Sequence, residues 1–156
     1  MPKQTVYVET TIFSYLAARP SRDAVTAARQ VITRQWWDRQ RQKYSLFVSA
    51  AVEAECLRGD AGVAQIRRAL LAETLLVPLN QRILEVARIL IAPGAIPDNA
   101  EADAVHIAAA AVAECDFLLT WNFRHIANVH IRREVERILA RYGYTKTTIC
   151  TPEELI

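Results

Sequence analysis

Five short apolar runs punctuate the chain at intervals: "TVYV", "SLFVS", "LLVPL", "FLLTW" and "TTIC". Each is rich in Val, Ile, Leu, Phe or Thr and too short for a buried helix, so each reads as a strand. Longer segments of helical periodicity lie between them, beginning near Thr10, Ser21, Ala50, Gly62, Asn80, Asn99 and Val129. A strand that is apolar along its whole length, and not only at alternate positions, is covered on both faces. Strands separated by helices join in parallel through right-handed crossovers. The pattern therefore predicts an α/β chain: a three-layer α/β/α sandwich around a central, mainly parallel five-stranded sheet.

The 156 residues suit a single domain spanning 1–156, with no internal repeat, low-complexity tract or linker to divide it. An apolar fraction of 52% with only four glycines excludes disordered and fibrous classes. No apolar run reaches the roughly 18–20 residues that a membrane-crossing helix needs. The opening "MPKQTVYVE" lacks the features of a secretory signal. Cys56, Cys115 and Cys150 are odd in number and widely spaced. They read as reduced thiols of a cytoplasmic protein, not as a disulfide framework or a zinc site.

The net charge of +2 conceals a local excess: seven basic and two acidic residues lie between Arg19 and Lys43. Arginine supplies 16 of the 19 basic side chains, and its fork is suited to phosphate. This stretch is either a solvated face or a phosphate-binding surface. Within it, Arg22–Lys43 reads as the longest helix, with Val25, Ala28, Ile32 and Trp36 as its apolar stripe and Arg34 and Arg41 opposite. Trp36 is then a core residue, while Trp37 projects about 100° away as a surface or interface residue.

Polar groups interrupt the apolar runs at their carboxyl ends, where open α/β sheets gather ligands. Glu9 follows "TVYV" directly. Ser49 follows the second run as the expected N-cap of a helix in which Val52, Cys56 and Gly59 mark the inner stripe. Glu55 flanks that stripe, needing either an arginine partner or a role in a site; Glu53 points to solvent. Asp98 or Asn99 is the expected cap of the alanine-rich helix, with Asp98 and Glu101 at capping-box spacing. That leaves Asp103 free of capping, explained either by the helix dipole or by a site. His106, one turn on, is either packed or a partner of that site. After "FLLTW", Thr120 and Asn122 end the strand, and Asn122 could equally cap a short turn. His125 and His130 show no metal-binding spacing. Clustered carboxylates repel unless protons or a cation neutralise them, and oxygen-only ligands favour Mg²⁺ or Mn²⁺. Phosphodiester hydrolysis is the chemistry such a centre performs.

"VYVETTIFSYL", "SLFVSAAVEAEC", "DAVHIAAAAVAECDFLLTWNFRHI" and "ICTPEEL" together resemble a PIN-domain protein of the VapC-type toxin group across nearly the whole chain. The resemblance implies a metal-dependent endoribonuclease that cuts RNA and is neutralised by a cognate antitoxin protein. Homodimers also occur among such domains. It matches Glu9, Glu55 and Asp103 to the family's acidic metal ligands, and Asn122 to a position where a fourth aspartate is common. Thr10, Thr11 and Thr120 fall at the accompanying hydroxyl positions. Two residues depart from the pattern: Glu9 stands where Asp is usual, and Asn122 removes a charge. Three ionised carboxylates suit one Mg²⁺ or Mn²⁺ better than two. These departures equally suit a catalytically weak or inactive module that binds RNA or protein. A phosphate-accepting signalling domain is the third reading, opposed by the scarcity of lysine: Lys3, Lys43 and Lys146 are all there are.

Overall fold

A computed structural model describes residues 1–156. Its sheet contains β1 (Gln4–Val8), β2 (Tyr44–Ser49), β3 (Leu75–Val77), β4 (Phe117–Leu119) and β5 (Thr148–Cys150). The strand order is β3-β2-β1-β4-β5 and every pairing is parallel, so the expected mainly parallel sheet is wholly so. The helices are α1 (Thr10–Ala17), α2 (Ala24–Arg39), α3 (Ala50–Cys56), α4 (Ala61–Leu71), α5 (Gln81–Ile91), α6 (Glu101–Val112) and α7 (Val129–Arg141). Short 3₁₀ turns at Arg41–Lys43 and Asp98–Ala100 precede β2 and α6. No helix is long and apolar enough to cross a membrane.

The first strand in sequence is the central one in space. Val6, Tyr7 and Val8 are wholly buried, as expected of a strand with a neighbour on each side and helices above and below. From β1 the chain winds outward through β2 and β3, then returns to lay β4 and β5 along the other side. The winding direction reverses between β1 and β4, which opens a crevice at their carboxyl ends. Glu9 and Thr120 are the residues that immediately follow those two strands.

Helix packing brings further groups to this edge. Residues Ala104–Ala111 of α6 are all buried, and the alanines among them let α5 and α6 pack closely. α3 also meets α6. Ile83, Val86 and Leu90 form the inner stripe of α5; burial of each such side chain contributes about 1.5–3 kcal/mol. All three cysteines are free and buried, and burial pushes the Cys115 thiol up to about 11.

Several local expectations need correction. The buried face of α2 is Thr33, Trp36 and Trp37, whereas Val25 is exposed. Trp37 lies edge-on to Phe13 at 5.9 Å with Arg41 over its ring, so it is no surface or interface residue. α2 also ends at Arg39 instead of continuing to Lys43. Ser49 occupies the N-cap of α3 without a side-chain cap bond, because its hydroxyl is engaged by Tyr7. Neither Asp98 nor Asn99 caps α6; Ala100 is at the N-cap and no side chain accepts there. The 3₁₀ turn supplies the entry instead.

Candidate active site

The backbone N–H of Glu9 donates to the Leu119 carbonyl at 3.0 Å, extending the β1–β4 ladder one step beyond the strands. Its side chain, on a residue only 2% exposed, turns into the crevice. There Oε1 accepts from the Thr11 hydroxyl at 2.5 Å and the Thr120 hydroxyl at 2.6 Å. The direction of these bonds is determined by the remaining contacts. Thr11 Oγ1 already accepts from the Trp121 N–H and Thr120 Oγ1 from the Asn122 N–H, each at 2.9 Å. With one N–H already on each oxygen, both hydroxyls donate to Glu9 when it is ionised. Burial raises the pKa of this carboxyl, although His106 and the two hydroxyls act against the rise.

Glu55 projects from α3 toward α6, and its Oε1 accepts from His106 Nε2 at 2.5 Å. His106 is fully buried, and its Nδ1 lies 2.8 Å from the Tyr7 hydroxyl, which in turn meets Ser49 Oγ at 2.7 Å. Burial opposes a charge on this imidazole. The Glu55 bond and the nearby Glu9, Glu55 and Asp103 carboxylates outweigh burial and raise the pKa. A protonated ring donates from both nitrogens, and Tyr7 can then donate onward to Ser49. Burial also pushes the Tyr7 phenol far up, which keeps it a donor.

Asp103, in the first turn of α6, accepts from Asn122 Nδ2 at 3.0 Å and stands 2.8 Å from His125 Nδ1. A carboxylate partner requires the proton on Nδ1 of His125. Asn122 Oδ1 meanwhile accepts from the His125 N–H at 3.0 Å, so this residue both caps the short turn after β4 and holds Asp103. The Thr10 hydroxyl, beside Glu9 at the start of α1, is buried without a partner.

The expected residues thus converge on one edge of the sheet but are already paired there. Glu9 belongs with Thr11 and Thr120, Glu55 with His106, and Asp103 with Asn122 and His125. No three His, Cys, Asp or Glu side chains stand in an arrangement that would hold a metal ion. The donor chemistry suits Mg²⁺ or Mn²⁺, and an ion shared by these carboxylates would displace the hydroxyl, imidazole and amide groups that now hold them. His106, expected to be either packed or a partner of the site, is both, and His125 is a site residue that its spacing did not disclose. The polar interruption after each strand located the edge; only the packing of α6 on α3 shows that His106 fills it.

Layers and strand order define a three-layer α/β/α domain around a five-stranded parallel sheet, with polar groups gathered at the carboxyl ends of its central strands. Among solved structures it is similar to the crystal structure of VapBC2 from Rickettsia felis bound to a DNA fragment from their promoter. The TM-score is 0.59 over 94% of this chain and 99% of that chain, at 13% sequence identity, so the likeness is one of fold. No family model matches the sequence, and no curated protein matches it.

Proposed function

We propose that the protein is an endoribonuclease of the VapC toxin type, dependent on Mg²⁺ or Mn²⁺ and restrained by an antitoxin protein. One observation carries this reading. Glu9, Glu55, Asp103 and Asn122 come from four separate segments to the carboxyl edge of β1 and β4, in a fold that VapBC2 shares. Of the carboxylates, Glu55 and Asp103 keep side-chain exposures of 26% and 17% and are accessible to a cation that would in turn bind an RNA phosphate. Glu9 is enclosed and positions the residues after β4 through Thr11 and Thr120. The pKa of His106 is raised by the surrounding carboxylates against the effect of burial, and in its protonated form the ring lowers the repulsion among the acids.

The test is cleavage of single-stranded and structured RNA by purified protein, with chelator and with Mg²⁺ or Mn²⁺ restored. Metal-dependent cleavage that disappears in Asp103→Ala is the expected result. Cleavage that persists through both chelation and Asp103→Ala overturns it. The closed pairing of Glu9 and Glu55 favours a second reading, a module that binds RNA or protein without turnover. RNA or partner binding with no calorimetric uptake of Mn²⁺ and no cleavage would select that one.

A further inference from the structure

Within the basic stretch around α2, Arg29 packs against the segment that follows β4. Arg34 donates to the Leu16 carbonyl and Arg41 to the Trp37 carbonyl, each at 2.6 Å, so both are folded onto neighbouring backbone. Arg29 behaves differently. Its guanidinium carbon lies 4.7 Å from the Phe123 ring centre and 5.4 Å from that of Trp121. It forms no ion pair, and its side chain makes no hydrogen bond within the chain.

Its position is fixed by a separate linkage. The Trp121 indole N–H donates to Thr33 Oγ1 at 2.7 Å, and the Thr33 hydroxyl donates to the Arg29 carbonyl at 2.6 Å. The segment after β4 is thereby fastened to the turn of α2 that carries Arg29. Trp121 is buried, whereas Phe123 is 37% exposed. Between them in sequence is Asn122, which holds Asp103. A guanidinium held by aromatic rings, with its N–H groups unpaired, is equipped for an anion. The exposed ring beside it is equipped for a planar apolar face. Single-stranded nucleic acid presents both: a phosphate for arginine and a base for stacking.

We propose that Arg29 and Phe123 form a nucleotide clamp for single-stranded RNA at the edge of the Asp103–Asn122 group. Arg29 takes a backbone phosphate and the Arg29–Phe123 pair stacks a base. This assignment rests on the reading that the site acts on RNA, but it is a claim about binding and is measured without turnover.

The experiment titrates the full chain with a fluorescent single-stranded oligonucleotide carrying 2′-O-methyl riboses, in chelator and across a salt series. Phe123→Leu is expected to weaken binding about tenfold, within the range for loss of one stacked base, while Phe123→Tyr retains it. Arg29→Gln is expected to reduce the slope of log affinity against log salt by about 0.7, one phosphate contact. Arg88→Gln on α5 is the charge control and should leave the affinity unchanged. Circular dichroism confirms that each variant is folded, and Arg29→Lys provides a second, milder test of the charge. No binding by the folded wild type, wild-type affinity in both Phe123→Leu and Arg29→Gln, or equal weakening by Arg88→Gln overturns the clamp. A Glu-rich peptide that displaces the oligonucleotide at equal concentration also overturns it, in favour of a protein partner. The two proposals fail separately: clamp-dependent binding without cleavage of natural RNA sinks the nuclease, and cleavage indifferent to both variants sinks the clamp.

Discussion

Two carboxylates at the same edge of the sheet live in opposite surroundings. Glu9 is sealed beneath the crevice, with two hydroxyls on one oxygen. Asp103 stands at its mouth, partly exposed and bound by an amide and an imidazole. The contrast separates two jobs that a list of acidic residues would merge. An enclosed acid whose donors are anchored by backbone N–H groups holds loops together. An acid at the rim, whose partners are themselves accessible, is free to exchange them for a cation or another donor.

The largest expected effect tests the rim. Asp103→Ala should abolish RNA cleavage while leaving the thermal transition within a few degrees of the parent, as measured by a nuclease assay alongside calorimetry. A collapse of the fold instead would show that the rim is structural and erase the contrast. Next in size is the buried imidazole. His106→Ala removes a fully enclosed ring and leaves the Tyr7 hydroxyl with Ser49 alone, and should cost about 2–4 kcal/mol in urea denaturation. A cost below 1 kcal/mol would mean that water replaces the ring freely.

A third test uses pH to sharpen the difference. Both Glu9 and His106 have folded pKa values raised above their ordinary ones. In each case the folded protein holds the proton more tightly. Their contribution is therefore complete below the unfolded pKa and is lost as pH rises through the folded one. For Glu9 that decline begins above the ordinary carboxyl range, and for His106 above about 6.5. Glu9→Gln keeps an acceptor for Thr11 and Thr120 but does not titrate. Its stability relative to the parent should rise with pH, as followed by denaturant midpoints from acid to mildly alkaline buffer; a constant difference would place Glu9 in water. The smallest effect lies outside the site. Glu114 follows α6 with φ +54°, and the Cys115 N–H returns to the Ala110 carbonyl at 3.0 Å. Glycine adopts that backbone without penalty, so Glu114→Gly should stabilise the protein by about 1 kcal/mol.

The strands and the edge that collects polar groups were readable from the chain because both depend on local signals. "TVYV" before Glu9 and "FLLTW" before Asn122 announce buried strands with polar ends, and the structure puts those ends side by side. Trp37 departs from the expectation because α2 is covered from two directions, with Phe13 of α1 against Trp37 and Tyr44 and Leu155 against Trp36, and a single 3.6-residue stripe does not describe that. Ser49 and Asp98 carry the right chemistry for caps, but tertiary partners or a 3₁₀ entry replaced it. The Glu55 partner of His106 and the whole role of His125 were obscure for a different reason. Each is defined by residues 51 and 22 positions away, respectively, and such pairings have no local signature.

The hydrogen bond from Thr120 to Glu9 spans 111 positions, and β1 acquires its second neighbour only when β4 arrives. Long closures of this kind make folding slow relative to domains built from local contacts. They also make the crevice a late product of chain collapse. Fragments that stop short of β4 leave Glu9 facing solvent with half its neighbours absent, so whatever reactivity resides at this edge is confined to molecules that have finished folding.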